Sequence, residues 1–267
     1  EKAGQQYWQI LPLGPTGYGD SPYQSVSTFA GNPYFIDLEE LIKKELLTKE
    51  ECEACDWGGS ESYVDYEKIY LSRYKLLRKA YEKADLKTDP DYAEFLKEEK
   101  DWLQDYCLFM AIKNDQKGIC WIDWPEELKD RHSKAVKEAE KELAEEIEFY
   151  RFQQYCFTTQ WRKLKAYANK KDISIIGDVP IYVALDSSDA WANPEMLQFD
   201  EDYDPKAVAG CPPDAFSATG QLWGNPLYDW KALKKDGYGW WVQRMTHCLE
   251  LYDVVRIDHF RGFDEYY

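Results

Sequence analysis

Apolar residues recur along this chain in two patterns that predict different elements. Between residues 38 and 168 the spacing is mostly helical, as in the runs Tyr70, Tyr74, Leu77, Tyr81 and Val136, Ala139, Leu143, Ile147, Tyr150. Shorter apolar runs lead directly into loops and predict strands at 9–13, 173–177 and 254–258, with a helix around 240–251. Because strands that alternate with helices usually form a parallel sheet, the order predicts an α/β fold, as in a (β/α) barrel or a doubly wound fold.

Charged residues stand at the downstream ends of two predicted strands. In VVRIDHFRGF (254–263), side-chain alternation places Arg256 and Asp258 on the same face of the strand. The strand before it ends in the same way, at Asp178 directly after Gly177. In a parallel barrel the carboxyl ends of the strands form the rim on which active sites are built. The pattern therefore predicts that both carboxylates belong to one site.

These strand-end charges have more than one interpretation. An arginine two residues before Asp258 would hold that carboxylate ionised, as a nucleophilic carboxylate requires. The same spacing is typical of a structural salt bridge, and an aspartate at a strand end is often only a helix N-cap. Spacing alone leaves these interpretations open.

The loops that follow the predicted strands are rich in glycine, proline and aromatic residues. Tyr18 and Tyr23 lie in GPTGYGDSPYQ (14–24), and Trp191 and Trp223 lie in the long loops after the second strand. Flat rings beside amides and carboxylates suit a sugar, whose faces are apolar CH surfaces and whose edges are hydroxyls. Packing in the core is the alternative for each ring.

Charge and cysteine usage exclude several classes of protein. The 33 Lys and Arg residues against 50 Asp and Glu give this 267-residue chain a net charge of −17, which argues against binding to nucleic acids or anionic membranes. No apolar run approaches the roughly 18 residues of a membrane span. Seven scattered cysteines favour a reducing, cytoplasmic location over a disulfide framework. Cys52 and Cys55 have zinc-like spacing but no second pair and no nearby histidine, so no metal site is predicted.

Four longer stretches resemble a known family, the amylomaltases, which are bacterial 4-alpha-glucanotransferases also called disproportionating enzymes. The stretches are ILPLGPTGYGDSPYQSVSTFAGNPYFIDL (10–38), IIGDVPIYVALDSSDAWANPE (175–195), VAGCPPDAFSATGQLWGNPLYDW (208–230) and VVRIDHFRGF (254–263). The resemblance implies a (β/α)8 TIM-type barrel formed by residues 1–37 and 169–267, with a lid loop around 208–224 and an inserted helical subdomain at 38–168. It also implies transfer of alpha-1,4-glucan segments between malto-oligosaccharides by a retaining double displacement, without a metal or organic cofactor.

The resemblance also implies a role for individual residues. Asp258 matches the nucleophile that forms a glucosyl ester, Arg256 the arginine that keeps it charged, and Asp178 an acid that binds hydroxyls of the sugar under attack. For substrate binding, it implies that Tyr23 stacks under that sugar with Ser21 beside it. Trp223, Gln221 and His259 match residues that line the neighbouring subsites.

The acid/base carboxyl group that this chemistry needs is not matched in the chain. Retaining glycosidases use two carboxyl groups about 5–5.5 Å apart, and the family takes its acid/base glutamate from strands that would follow Tyr267. The opening strand of the barrel is likewise expected ahead of Glu1, so the chain alone is expected to be an incomplete, inactive barrel. The alternatives are an amylase-like hydrolase that gives the ester to water and a carbohydrate-binding protein that has lost catalysis.

Overall fold

Three parallel strands form the sheet that carries the site. The computed structural model describes residues 2–215 and 217–264, so the predicted outer ends of the barrel segments, residue 1 and residues 265–267, lie outside the described residues. The strands are β1 (Tyr7–Gln9), β2 (Ser174–Val179) and β5 (Val254–Ile257), in the order β1-β2-β5. All pairing among them is parallel, which confirms the predicted direction of the three strands.

The first strand lies earlier than the sequence predicts. Residues 9–13 were expected to form it, but β1 is Tyr7–Gln9, and the ladder ends where the Ile10 amide donates to the Ile176 carbonyl at 3.0 Å. Pro12 has no amide hydrogen to donate, so it cannot continue the ladder. The chain leaves the sheet at this point and enters the glycine-rich loop.

A second, two-stranded sheet stands over the carboxyl end of the first. Strands β3 (Val208–Cys211) and β4 (Gln221–Pro226) pair antiparallel. The two ends of the segment predicted as a lid loop, 208–211 and 221–224, are therefore the paired strands of a β-hairpin, and residue 216 between them lies outside the described residues. Gly210 permits this close pairing, because a Cβ atom there would lie 2.4 Å from the Gln221 carbonyl oxygen.

Helices fill most of the chain between β1 and β2, and they return after β2. They are α1 (Leu38–Lys43), α2 (Lys49–Glu53), α3 (Tyr66–Lys83), α4 (Pro90–Glu98), α5 (Lys100–Asp115), α6 (Glu126–Lys129), α7 (Lys134–Glu142), α8 (Ala144–Lys170), α9 (Ser188–Ala192), α10 (Trp230–Lys235) and α11 (Gly239–Leu251). Short 3-10 helices lie at Pro33–Phe35, Trp121–Asp123, Pro194–Met196 and Phe260–Phe263.

The helical periodicity is confirmed, with one bend that it does not reveal. The first run lies within α3 and the predicted helix at 240–251 is α11. The second run spans two helices, because the chain turns at Leu143 between α7 and α8. Both helices bury a residue of the run, Val136 in α7 and Ile147 in α8, so the spacing continues through the bend.

The helices share their hydrophobic cores with the sheet. One cluster joins Phe29 of the first loop to α5 and to α11. The other joins Ile175 and Val179 of β2 to α8, which packs along the sheet. The division into a partial barrel and an inserted subdomain at 38–168 therefore stays a prediction. In the described part of the chain, no helix has the length and apolar character that crossing a membrane requires.

We expect Gly177→Ala to destabilise the complete protein by about 1–3 kcal/mol, the usual cost of overpacking. The added Cβ would lie 2.2 Å from ring atoms of buried Tyr252, directly beneath the strand exit that carries Asp178. Chemical unfolding measures the change.

Gly59→Ala is the matched control, because nothing lies within 4 Å of the added atom. Equal unfolding free energies for the two variants would contradict the close approach of β2 and Tyr252.

Candidate active site

Arg256 joins the two strand-end carboxylates. Its Nη1 lies 2.6 Å from Asp178 Oδ1 and its Nη2 lies 2.6 Å from Asp258 Oδ1. The parallel register sets this geometry, because Asp178 of β2 stands directly opposite Arg256 of β5. The pKa of Arg256 is raised, first by the charge of Asp178 and the hydrogen bond to it, and then by the charge of Asp258. The guanidinium is thus a permanent cation between two acids.

The two carboxylates differ in their access to solvent. The Asp178 side chain is 3% exposed, whereas that of Asp258 is 43% exposed. The Asp258 amide donates to the Val179 carbonyl at 3.1 Å, which fixes the residue just beyond the end of β5. Asp258 is therefore the carboxylate that a substrate can reach.

Tyr23 holds the second oxygen of the buried acid. Its hydroxyl donates to Asp178 Oδ2 at 2.7 Å, and its amide donates to Ser21 Oγ at 3.3 Å. Burial, followed by the hydrogen bond and the charge of Asp178, raises the pKa of Tyr23 to about 12. The phenol therefore remains a hydrogen-bond donor at any physiological pH, and Asp178 lies behind it with both oxygens bonded.

An open cleft lies on the exposed side of these residues. It encloses about 790 Å³, open solvent at its mouth included. The residues that line it are Ser21, Tyr23, Gln24, Pro180, Ile181, Tyr182, Gln221, Trp223, Asn225, Asp258 and His259. Six of the eight residues predicted for the site lie here. Asp178 is buried behind Tyr23, and Arg256, although half-exposed, does not line the cleft. The hydroxyl-binding role expected for Asp178 stays a prediction.

Trp223 and His259 meet edge to face in this cleft. Their ring centroids are 4.9 Å apart with an interplanar angle of 87°, and Trp223 Nε1 donates to Gln221 Oε1 at 2.9 Å. His259 has a positive φ of 54°, which turns the chain sharply after β5 and brings the imidazole back over the cleft. Trp223 is half-buried and lines the cleft, so part of its side chain is open to a ligand.

Two amide residues connect the first loop to the hairpin, and the sequence did not indicate them. Gln24 Nε2 donates to the Trp223 carbonyl at 3.1 Å and to Asn225 Oδ1 at 2.9 Å. Asn225 Nδ2 donates to the Val183 carbonyl at 2.8 Å. This tether holds the Tyr23 loop, the hairpin and the exit of β2 together. Both residues lie inside the quoted motifs, but only the fold brings them together.

Two aromatic residues considered for sugar binding lie elsewhere. Trp191 belongs to α9 and is fully buried, with Nε1 donating to the Leu128 carbonyl at 3.0 Å. Core packing is thus the correct interpretation for this ring. Tyr18 is fully exposed and does not line the cleft.

Metal-binding chemistry receives no support from the described residues. Cys52 and Cys55 are free thiols near the surface, and the Cys55 thiol donates to the Glu51 carbonyl at 3.5 Å. Within residues 2–215 and 217–264, no three His, Cys, Asp or Glu side chains cluster as metal ligands do. The absence of a metal from the function stays a prediction.

The fold and the cleft define an α/β protein with a carboxylate, amides and aromatic faces at the carboxyl ends of parallel strands, a site suited to a sugar. A model of glycoside hydrolase family 77, described as 4-alpha-glucanotransferase, matches residues 1–267. The chain belongs to this family.

Individual relatives agree with the family match. The chain is 53% identical to a 4-alpha-glucanotransferase of Clostridium butyricum over 100% of its length and 55% of the relative. It is 48% identical to one from Thermus thermophilus, over 100% of its length and 53% of the relative. The structure superposes on an amylomaltase from Streptococcus agalactiae in complex with acarbose with a TM-score of 0.94 and 40% identity, covering 99% of this chain and 54% of that one. The chain thus spans about half the length of these relatives.

We predict that Trp223→Ala in the complete protein weakens malto-oligosaccharide binding at least tenfold while the melting temperature stays nearly unchanged. The ring is half-buried and packs only at the margin of the core, so its loss should cost far less stability than the loss of a fully buried tryptophan, while the stacking face is removed completely. Calorimetric titration with maltohexaose and thermal unfolding measure the two effects.

Trp191→Ala is the matched control and should do the opposite, because emptying a core tryptophan site typically costs about 3–5 kcal/mol. A large loss of stability in the Trp223 variant, together with normal oligosaccharide binding, would show that this ring acts through core packing and not through stacking on the sugar.

Proposed function

We propose that the complete protein is a 4-alpha-glucanotransferase that transfers alpha-1,4-glucan segments between malto-oligosaccharides. The observation that carries the proposal is Asp258, which faces the cleft from the end of β5 with Arg256 bonded to it. Membership of the family and the relatives named 4-alpha-glucanotransferase support the same reaction. The acarbose bound by the Streptococcus agalactiae amylomaltase supports an oligosaccharide as the occupant of the cleft.

Asp258 is the nucleophile of a retaining double displacement. Because Arg256 occupies Oδ1, we assign the attack on the anomeric carbon to Oδ2. The new ester bond forms as the glycosidic C–O bond breaks, and the leaving oxygen takes a proton from an acid. In the second step the same acid, now a base, removes a proton from an acceptor hydroxyl, which displaces Asp258 and restores the configuration. Arg256 keeps the departing carboxylate anionic.

The other cleft residues bind and orient the sugar. Tyr23 offers its ring below the attacked sugar, with Ser21 beside it, and Asp178 holds the tyrosine hydroxyl from behind. Asp178 can bind a sugar hydroxyl if the substrate replaces the Tyr23 hydroxyl at Asp178 Oδ2. The neighbouring subsites are formed by Trp223, Gln221 and His259.

The complete catalytic domain is a (β/α)8 barrel, with residues 38–168 as an inserted helical subdomain and residues 208–224 as the lid. The outer strands of the sheet support this, because Trp8 on β1 and Val254 on β5 leave apolar surface exposed that further strands of a barrel would cover. The acid/base carboxyl is expected in the half of the relatives' length that this chain does not span. No cofactor takes part in this chemistry, and the free thiols agree with a cytoplasmic location.

A hydrolase would use the same nucleophile, because water can take the place of the acceptor hydroxyl. The two reactions differ in how well the closed hairpin excludes water from the ester. A carbohydrate-binding protein would keep the cleft and lose the reaction.

Incubation of the complete protein with maltotriose tests the proposal. A ladder of longer and shorter glucans is the expected product pattern. Mainly glucose and maltose would indicate a hydrolase, and unchanged maltotriose would indicate a binding protein, so either outcome would contradict the transferase assignment.

The variant Asp258→Asn should lower turnover by at least 1,000-fold without loss of folding, because the amide keeps the shape but is a far weaker nucleophile. Asp253→Asn is the matched control. Asp253 bonds Asn169 and the Ile175 amide away from the cleft, so its loss should affect stability and leave turnover within about twofold. Substantial activity in the Asp258 variant would contradict the assigned nucleophile.

A further inference from the structure

Arg244 is a buried cation that the proposed reaction does not use. It lies in α11, the helix that leads into β5, and its side chain is 1% exposed. Nη1 donates to the Ile181 carbonyl at 3.0 Å and Nη2 donates to the Pro180 carbonyl. The guanidinium therefore binds two consecutive peptide carbonyls at the exit of β2.

Aromatic rings fix the guanidinium in this position. Its central carbon lies 5.4 Å from the ring centroid of Trp240 and 5.0 Å from that of Trp241. Its Nη1 also lies 3.3 Å from the Tyr228 hydroxyl. Burying a charge away from water is costly unless polar partners and ring faces offset the lost hydration. A buried cation with this many partners at one backbone turn indicates that the conformation of the turn is important for the cleft.

The two carbonyls belong to residues that form the cleft wall. Pro180 and Ile181 line the cleft, and Tyr182 follows them. The ring of Tyr182 lies 6.4 Å from that of Trp223 and 6.5 Å from that of His259. A rotation of the peptide groups that Arg244 holds would displace Tyr182 and, through it, the aromatic wall of the cleft.

Tyr228 supports the same turn from the hairpin side. Its hydroxyl donates to the Ile181 carbonyl at 2.8 Å, and its ring stacks on Tyr182 with a centroid distance of 6.2 Å. Arg244 and Tyr228 thus share one carbonyl, from two different elements. A planar fork with several donors can satisfy both carbonyls at once, whereas the single ammonium of lysine cannot reproduce this geometry.

We propose that Arg244 is a positioning residue that sets the glucan affinity of the cleft by holding the turn after β2. The inference rests on the proposed function, since it concerns binding of the same substrate. The wall binds sugar in the ground state and the transition state alike, so its displacement weakens both equally. Loss of Arg244 therefore raises KM and leaves kcat nearly unchanged.

Steady-state kinetics on maltotriose with the complete protein tests this, at a temperature where each variant is fully folded. Arg244→Met should raise KM at least fivefold with kcat within about twofold, because methionine packs against the two indoles but donates no hydrogen bond. The Pro180 carbonyl then loses its donor, and the Ile181 carbonyl keeps only the Tyr228 hydroxyl. Arg244→Lys should lie between this variant and the unsubstituted protein. Tyr228→Phe, which removes one hydroxyl, should raise KM in the same direction by a smaller factor.

Met245→Ala is the matched control, since Met245 packs against the same core from the next position of α11 and does not line the cleft. A purely structural loss lowers the active fraction, which reduces the apparent kcat and leaves KM unchanged. An unchanged KM in both Arg244→Met and Tyr228→Phe would overturn the inference.

Failure of the proposed function has a different signature. If the unsubstituted protein forms no glucan ladder from maltotriose, the transferase assignment fails. The crystal structure of Arg244→Met then decides the inference, and unmoved Pro180 and Ile181 carbonyls would overturn it.

Discussion

The site depends on one ionic bridge between neighbouring parallel strands. Arg256 on β5 contacts Asp178 on β2 and Asp258 just beyond the end of β5, each at 2.6 Å. This geometry requires the register in which Asp178 stands opposite Arg256, and that register in turn requires Gly177, where a side chain would collide with Tyr252. The packing of Tyr252 against one face of the sheet thereby determines where the charged groups lie on the other face.

Around this bridge the molecule separates two tasks. The charged groups stand at the ends of strands, while the groups that contact the cleft come mostly from loops and from the hairpin. Loops hold a defined shape only when their peptide groups are bonded, and here buried side chains supply those bonds. Asn225 bonds Val183 and Arg244 bonds Ile181, so the turn after β2 is held from both sides.

The sequence predicts what depends on local pattern. Alternation along the strand put Arg256 and Asp258 on one face, and the helical spacing of Tyr70 and Tyr74 predicted α3. It could not predict contacts between distant residues, such as Gln24 with Asn225, because their partners are specified only by the complete fold. Trp191 shows the same limit, since its position after a loop-like stretch gave no sign that α9 would bury it.

Covalent trapping tests the central claim, that Asp258 is a nucleophile and not only a partner of Arg256. The complete protein would be treated with a fluorinated glucosyl donor that slows breakdown of the ester, and its peptides would be mapped by mass spectrometry. We expect one glucose-derived adduct, on the peptide that contains Asp258, and none in Asp258→Asn. An adduct on Asp178, or the same adduct in the Asn variant, would mean that Arg256 and Asp258 form only a structural ion pair at the mouth of the cleft.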